Sequence, residues 1–343
     1  MEKMKKVWTL ILTMALFMMI VTGCSEKSAD SGDKKENGEE KNVELKIGHI
    51  LTPDSHYQVM IDEMTKVAEE KSGGSIKITS FPQSQLGDEI KMIQAARSGT
   101  ISMFVSGQAA LENTVKEYEI FDVPYLFDSF DQANEVLSGD IGRKYLDMLE
   151  DHQLVGLGWL TAMERNVFST KEIKTVEDMK GLKLRVMQAP GYVDTYNAFG
   201  SQPTPMAYSE VYMALQQGVV NGGDISPDQF MNDRFNEVAK YYNLTKSHYL
   251  PALLVMSQKQ WNDLSDNQQQ ILQEAADAGL KKGIEFYGQA YEESLKKAEE
   301  DGVKIVETDL SGFKEKAEKT HESLIKSIPD GKALYDEIQA AKK

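Results

Sequence analysis

After residue 42 the chain alternates between short apolar segments and amphipathic segments, and this alternation restricts the fold more than any other feature. Between the first two apolar segments, hydrophobic residues recur at helical spacing over 57–67, and glycines at 73–74 end the helix. Three segments are predicted strands: VELKIGHI (43–50), SIKITSF (75–81) and ISMFVS (101–106). Strand–helix–strand–helix–strand order at this spacing predicts a parallel α/β sheet.

The same pattern resumes in the second half of the chain. Helices are predicted over 190–199 and 208–217, and Ser265 is an N-cap candidate for a very long helix that reaches about Glu300. Three glycines interrupt that helix and predict bends or breaks: Gly279, Gly283 and Gly288. The predicted strands are HQLVGLGW (152–159), ERNVFST (164–170), LKLRVM (182–187), VVNGGD (219–224), PALLVMS (251–257) and VKIVE (303–307).

Two α/β clusters that are joined by short strands and crossed by one long helix predict a two-lobed α/β fold. The architecture is that of a periplasmic-binding protein (type II-like), in which two lobes close on a ligand by hinge motion. We assign residues 43–163 plus 251–290 to lobe I and residues 164–250 plus 291–343 to lobe II. Pockets form between domains and beyond the carboxyl ends of parallel strands, so the cleft between the lobes is the expected ligand site.

The first 42 residues have the composition of an export signal followed by a tether. Three lysines precede seventeen uncharged residues, 7–23, which are fewer than the about 20 apolar residues that span a bilayer. Small residues then precede Cys24, the only cysteine, in a pattern typical of a bacterial lipoprotein cleavage site. We predict a signal peptide over 1–23 and a lipidated Cys24 with a disordered tether over 24–42. The alternative is a simple N-terminal membrane helix.

The charge balance argues against nucleic acid as a partner, because the chain carries a formal charge of −16. Such a chain must arrange anion binding locally, and an arginine inside a predicted strand is a candidate for that role. In LKLRVM the alternation places Arg185 with Lys183 on one face and Leu184 with Val186 on the other. A guanidinium offers a planar fork that matches a carboxylate. The alternative for Arg185 is a solvated charge on the face of the sheet.

The sequence contains little that an enzyme would need. None of the five histidines stands at a metal-ligand spacing such as HExxH, and neither a P-loop nor GxSxG occurs. His49, at the end of the first strand, is a candidate polar pocket residue, with a hydrogen-bonded structural histidine as the alternative. We therefore predict a binding protein rather than an enzyme, with no cofactor and no metal.

Four motifs that cover about residues 43–340 together resemble the solute-binding receptors of tripartite ATP-independent periplasmic (TRAP) transporters, of the DctP-like organic-acid type. The motifs are FPQSQLGDE (81–89), FDVPYLF (121–127), TVEDMKGLKLRV (175–186) and PTPMAYSEVYMALQQGVVNG (203–222). The resemblance implies an extracytoplasmic receptor that delivers a small organic acid to a permease made of a large and a small membrane subunit. A receptor for an ATP-driven transporter or for a sensor kinase remains an alternative.

The resemblance also implies which residues bind the ligand. Arg185 of GLKLRV would form the main ion pair with a ligand carboxylate, and Arg165 stands at the spacing of a second arginine. Tyr208 of PMAYSEVY would line the pocket, the alternative being a core aromatic. From the other lobe, Gln108 in VSGQAA is a candidate contact, the alternative being a surface amide.

One departure from the family pattern bears on the ligand. Where the family often reads Gly-Gln-Glu-Asn, this chain reads Gly-Gly-Asp-Ile at residues 222–225. Ile225 therefore stands where an asparagine commonly touches the ligand. An isoleucine side chain donates no hydrogen bond. Asp224 could accept one from a hydroxyl or an amine, but it would repel a second carboxylate. We therefore expect a hydroxylated monocarboxylate, such as a sugar acid, rather than a plain dicarboxylate.

Overall fold

The computed structural model describes residues 41–342, and its regular elements follow the alternation seen in the sequence. The strands are β1 (Val43–Gly48), β2 (Ile76–Phe81), β3 (Met103–Gly107), β4 (Leu154–Ser169), β5 (Lys183–Val186), β6 (Gln202–Pro205), β7 (Gly222–Ile225), β8 (Tyr241–Ser257) and β9 (Lys304–Val306). The α-helices are α1 (His56–Lys71), α2 (Glu89–Arg97), α3 (Phe130–Ser138), α4 (Asp140–Met148), α5 (Pro190–Ala198), α6 (Val211–Gln216), α7 (Pro227–Asn232), α8 (Gln258–Asn262), α9 (Asp266–Glu300), α10 (Ser311–Ser327) and α11 (Gly331–Ala341).

The strands of the described residues form one mixed sheet in the order β2-β1-β3-β8-β4-β7-β5-β6, with β9 paired to β8. At one end β1 pairs in parallel with β2 and β3, and at the other end β5 pairs in parallel with β6 and β7. Between these trios, β4 and β8 run antiparallel to each other and to their outer neighbours. The predicted parallel pairing is therefore found in each trio, while the sheet as a whole is mixed.

The two central strands are longer than the sequence predicted. The segments 152–159 and 164–170 belong to a single strand, β4, of 16 residues, and 251–257 is only the last part of β8, of 17 residues. The prediction of short joining strands was wrong because β4 passes through three register shifts, which absorb its irregular pattern while pairing with β8 continues. Polar side chains in its middle, such as Thr161 and Arg165, are buried against neighbouring elements instead of marking a loop.

Helix α9 is continuous over 35 residues, so the predicted breaks at its glycines were wrong. Its N-cap is confirmed: the Ser265 hydroxyl accepts a hydrogen bond from the backbone N–H of Gln268. Gly279 and Gly283 instead allow α9 to lie close to its neighbours. A Cβ atom on Gly279 would lie 2.5 Å from the carbonyl oxygen of Met60 in α1. Close packing against α1 thus accounts for a glycine that costs a helix interior about 1 kcal/mol.

We predict that Gly279→Ala destabilises the protein, whereas Gly288→Ala does not. The added methyl at 279 would force α1 and α9 apart and cost about 1–3 kcal/mol. At Gly288 a Cβ atom would meet nothing within 4 Å, so alanine there adds helix propensity of up to about 1 kcal/mol. Urea unfolding of the two variants measures both effects. Equal changes in the free energy of unfolding would contradict the packing explanation.

The buried apolar residues form three clusters around the sheet. The largest includes residues of both parallel trios, among them Leu45 in β1 and Leu184 in β5. A second lies around Tyr118, and a third around Phe168. The proposed lobe limits would divide β4 after residue 163 and β8 after residue 250, and they remain a prediction.

The predicted signal peptide, the lipidation of Cys24 and nearly all of the tether lie outside the described residues. Within 41–342, none of the helices combines the length and the apolar character that crossing a membrane requires.

Candidate ligand-binding cleft

A narrow cleft lies where β5 meets the turn 206–209 and the start of α2. Three of its lining residues are charged: Asp88, Glu89 and Arg185. The neutral lining residues are Ile50, Ser84, Ile90, Ala109, Ala110, Met187, Gln188, Met206, Ala207, Tyr208 and Ser209. Carbon-rich walls with a few charged groups are typical of a site for a small polar ligand.

Arg185 is buried in β5, between β6 and β7, and its guanidinium lines the cleft. Nε and Nη2 donate to the carbonyl oxygen of Met206 at 3.2 and 3.1 Å, and the Tyr208 ring centre lies 5.8 Å from Cζ. Within the described residues, no Asp or Glu oxygen lies within 4.0 Å of this guanidinium. Burial lowers the pKa of Arg185, and Arg165 acts in the same direction, although Asp224 opposes them. Arg185 is thus a buried cation without a paired anion.

Arg165, on β4, has a different environment. Its Nε donates to Asp224 Oδ2 at 3.1 Å, Nη2 donates to the backbone carbonyl of Asp224, and Nη1 donates to Gln229 Oε1 at 3.4 Å. Burial lowers the pKa of Arg165, but Asp224, together with Tyr192 and Tyr196, acts in the opposite direction, and the pKa lies above its ordinary value. The side chains of Arg165 and Asp224 are both almost fully buried, and neither residue lines the cleft. The second predicted arginine therefore has an internal counter-ion.

Residues 224 and 225 on β7 have separate surroundings. Asp224 lies against Arg165, and its Oδ1 has no hydrogen-bond partner among the described residues. The Ile225 side chain belongs to the apolar cluster that includes Phe168 and Phe230, and only 1% of its surface is exposed. Ile225 thus serves core packing, and the polar side chain of this pair is Asp224.

Tyr208 is one of the residues that line the cleft. It begins a short 3-10 turn that precedes α6, and its hydroxyl donates to Asp233 Oδ2 at 2.5 Å. Burial raises the pKa of Asp233 to about 6, while this hydrogen bond acts in the opposite direction. The ring is therefore fixed by a polar contact at its far end, with its face turned toward Arg185.

His49 and Gln108 are both fully buried, and neither is among the residues that line the cleft. His49 Nε2 lies 2.9 Å from Gln58 Oε1, which makes it the donor to that oxygen. Gln108 Nε2 donates to Asp122 Oδ1 at 2.9 Å. Their next neighbours in the chain, Ile50 and Ala109, do line the cleft.

Glu89 is a cleft residue that the sequence reasoning did not single out, although it closes the motif FPQSQLGDE. It is the first residue of α2, whose N-cap is Asp88. Glu89 Oε1 accepts hydrogen bonds from the Ser106 hydroxyl at 2.9 Å and from the Gly107 N–H at 3.0 Å. Burial raises the pKa of Glu89, although these two hydrogen bonds oppose it. An acidic residue at the start of a helix that follows a strand was the available signal.

His248 and Tyr192 flank the Arg165–Asp224 pair and were also missed. Their rings stack with centres 4.3 Å apart, and His248 is paired with Arg165 across the sheet. Burial lowers the pKa of His248 to about 4, so its imidazole is neutral at pH 7. His248 Nε2 and the Tyr192 hydroxyl have no hydrogen-bond partner among the described residues. The Arg165–Asp224 ion pair thus lies beside two neutral polar side chains that can each form a further hydrogen bond.

The chain matches the family model of bacterial extracellular solute-binding proteins, family 7 (DctP), over residues 47–327. The chain belongs to this family. Its members are substrate-binding receptors, so the family assignment agrees with the predicted binding function. The resemblance to TRAP receptors of the DctP type is thereby confirmed.

Solved structures of TRAP periplasmic solute-binding proteins are similar to this family 7 chain. One from Polaromonas sp. JS666, bound to D-erythronate, is 30% identical with a TM-score of 0.85 over 88% of this chain and 100% of its own. Another, from Chromohalobacter salexigens with bound D-glucuronate, is 28% identical with a TM-score of 0.83 over 87% and 99%. The C4-dicarboxylate-binding periplasmic protein DctP of Rhodobacter capsulatus is 27% identical over 65% of this chain and 67% of its own. The predicted two-lobed α/β fold is confirmed.

The receptor also contains a buried pair of carboxyl groups, which predicts a pH-dependent stability. Burial raises the pKa of Asp122 to about 7, and burial together with Asp122 raises the pKa of Glu112 well above its ordinary value. Glu119 disfavours ionisation of both groups, whereas Lys116 favours ionisation of Glu112. Because these pKa values are higher in the folded state than the ordinary carboxyl value of about 4, the protonated carboxyl groups favour folding fully below about pH 4. This stability is lost as the pH rises from about 4 to about 7.

We expect Glu112→Gln to remove much of this pH dependence, because a glutamine amide can donate to Asp122 at every pH. At pH 8 the variant should unfold at a higher urea concentration than the wild type. Its free energy of unfolding should be larger by on the order of 1–3 kcal/mol. At pH 4 the difference should be small, because the carboxyl groups are then largely protonated in both the folded and the unfolded states. Parallel stability profiles for the two proteins between pH 5 and pH 8 would contradict the prediction.

Proposed function

We propose that this receptor binds a small organic acid through an ion pair between the ligand carboxylate and Arg185, and delivers it to a TRAP permease. The observation that supports this most directly is the contrast between the two buried arginines. Arg165 is neutralised by Asp224 at 3.1 Å, whereas Arg185 lines the cleft and, among the described residues, hydrogen-bonds to the carbonyl oxygen of Met206 and to no carboxylate. A carboxylate in the cleft would supply the missing negative charge.

The hydrogen bonds of Arg185 leave its carboxylate-binding edge available. A guanidinium has five N–H donors, and here one on Nε and one on Nη2 are directed at Met206. The two hydrogens on Nη1 and the second on Nη2 remain for a ligand. Two parallel hydrogen bonds to a carboxylate are stronger than neutral ones, and exclusion of water from the cleft strengthens them further. Lobe closure over the ligand would provide that exclusion.

The expected ligand carries one carboxylate and several hydroxyls. D-erythronate and D-glucuronate, bound by two similar receptors, both have this chemistry. Arg165, which would have to bind a second carboxylate, is occupied by Asp224. The dicarboxylate named for the Rhodobacter relative makes C4-dicarboxylates the second candidate class.

A thermal-shift screen of the purified chain tests this proposal. The panel contains aldonates, uronates, C4-dicarboxylates and keto acids, with neutral sugars and amino acids as controls. A ligand present at 100 times its dissociation constant stabilises the folded protein by about 2.7 kcal/mol, which such a screen detects. Stabilisation by acids supports the proposal, and stabilisation by neutral sugars alone would refute it.

For its location, we propose an extracytoplasmic receptor that is held at the membrane by lipidated Cys24. The support is the sequence around Cys24 together with membership of an extracellular solute-binding family. Mass spectrometry of the protein extracted from the membrane fraction tests the anchor: the mature chain should begin at a diacylated Cys24. A chain that keeps residues 1–23 would favour an uncleaved N-terminal helix instead.

A further inference from the structure

We propose that Glu89 selects the ligand by accepting a hydrogen bond from a ligand hydroxyl and by repelling a second carboxylate. The receptor would therefore prefer polyhydroxylated monocarboxylates, such as aldonates and uronates, to C4-dicarboxylates. This inference rests on the proposed function, in which Arg185 binds the one carboxylate of the ligand. It adds a specificity-determining residue that lines the same cleft from a different element, the start of α2.

Glu89 and Arg185 face the same space without pairing with each other. Glu89 enters the cleft from the start of α2, and Arg185 enters it from β5. Within the described residues, the carboxylate and the guanidinium are not joined by any ion pair within 4.0 Å. A ligand in this cleft can therefore meet both a cation and an anion that are not already paired with each other.

Hydrogen bonds to one oxygen of the Glu89 carboxylate hold the group in place, and its other oxygen is available to a ligand. Oε1 accepts from the Ser106 hydroxyl and the Gly107 N–H, at 2.9 and 3.0 Å. Among residues 41–342, no side chain or backbone group donates a hydrogen bond to Oε2. Since the side chain is half-buried at the cleft wall, Oε2 is the atom that can accept from a ligand hydroxyl.

The charges around the cleft make a second ligand carboxylate unfavourable. Asp88, the other acidic lining residue, already accepts from the Lys91 N–H at 2.9 Å and pairs with Lys91 Nζ at 3.0 Å. Arg165 is paired with Asp224 and does not line the cleft. Arg185 is therefore the one charged lining residue that can attract an anion, and the free negative charge in the same cleft is that of Glu89. Like charges in a partly buried site repel strongly.

Titration calorimetry with D-gluconate, D-glucuronate, D-erythronate, succinate and L-malate tests the inference. For the wild type we expect at least one sugar acid to bind about 100-fold or more tightly than either dicarboxylate. Glu89→Gln should weaken the binding of that sugar acid about 10- to 100-fold, the range typical for loss of a hydrogen bond to a charged group. Binding of succinate should be unchanged or stronger. An equal effect on both classes, or none, would overturn the role of Glu89.

Two matched variants separate a direct contact from a general effect of charge. Glu210→Gln removes the same charge at an exposed residue next to the cleft-lining Ser209, and Glu210 does not itself line the cleft. It should leave the preference between the classes within about threefold. A shift as large as that of Glu89→Gln would overturn the direct contact. Glu89→Asp keeps the charge but shortens the side chain. Glu89→Asp should weaken the binding of the sugar acid, while the binding of succinate remains weak. This variant tests the role of Glu89 if Glu89→Gln fails to fold.

Arg185→Ala distinguishes failure of this inference from failure of the proposed function. If the variant loses sugar acids and dicarboxylates together, Arg185 binds the carboxylate, and the Glu89 variants alone decide the selection. If a sugar acid still binds Arg185→Ala with wild-type affinity, the ion pair itself is wrong, and the selection by Glu89 is rejected with it.

Discussion

Replacing Arg185 by alanine should lower the affinity of the receptor for its organic acid about a hundredfold to a thousandfold. The variant removes one partner of a buried, hydrogen-bonded ion pair and leaves the ligand carboxylate desolvated without a counter-charge. Arg185→Lys should also lose at least about tenfold in affinity, because an ammonium is a point charge and cannot donate in parallel to both carboxylate oxygens. Titration calorimetry with the best acid from the thermal-shift screen measures both variants.

Lys183→Ala is the control for Arg185. Lys183 lies two residues earlier on β5 and is exposed, so its removal changes the net charge equally without touching the cleft. We expect its affinity to stay within about twofold of the wild type, since exposed charges are screened by solvent and salt. Comparable losses in Lys183→Ala and Arg185→Ala would mean that the field of the protein, not the ion pair, binds the acid.

Asp224→Asn should give the largest loss of stability, about 3–5 kcal/mol in the free energy of unfolding. Arg165 and Asp224 are exposed by only 2% and 1%, and the carboxylate is the counter-ion of the guanidinium. Removing the negative charge leaves a buried cation with only neutral acceptors, Gln229 and the backbone carbonyl of residue 224. Chemical denaturation of the ligand-free protein measures the effect without any assumption about the ligand.

A double-variant cycle isolates this interaction. Arg165→Met removes the cation, and the combination Arg165→Met with Asp224→Asn should be more stable than the sum of the single losses predicts, by about 1–3 kcal/mol. Additive losses would show that the pair contributes through packing and not through charge.

Much of the fold follows from local sequence patterns. The Ser265 cap and the helical spacing that follows predict α9, because helical hydrogen bonds join residues four apart and need no distant partner. Alternating apolar residues predict β1, β2 and β5 for a similar local reason. The length of β4 could not be predicted in this way. Its irregular middle is a strand because β8, about 85 residues later in the chain, supplies its hydrogen bonds.

For the site, local sequence specifies which chemical groups are available: an arginine in a strand, an acidic residue that begins a helix, and a tyrosine in a turn. Tertiary structure decided which of these groups meet. Arg165 and Arg185 belong to the same residue type in similar strands, yet Arg165 pairs with a carboxylate 59 residues away and Arg185 with none among the described residues. A charge–charge interaction depends on distance and burial, and both are set by the packing of strands remote in sequence. For that reason only the folded chain distinguishes the arginine with an internal counter-ion from the one that faces the cleft.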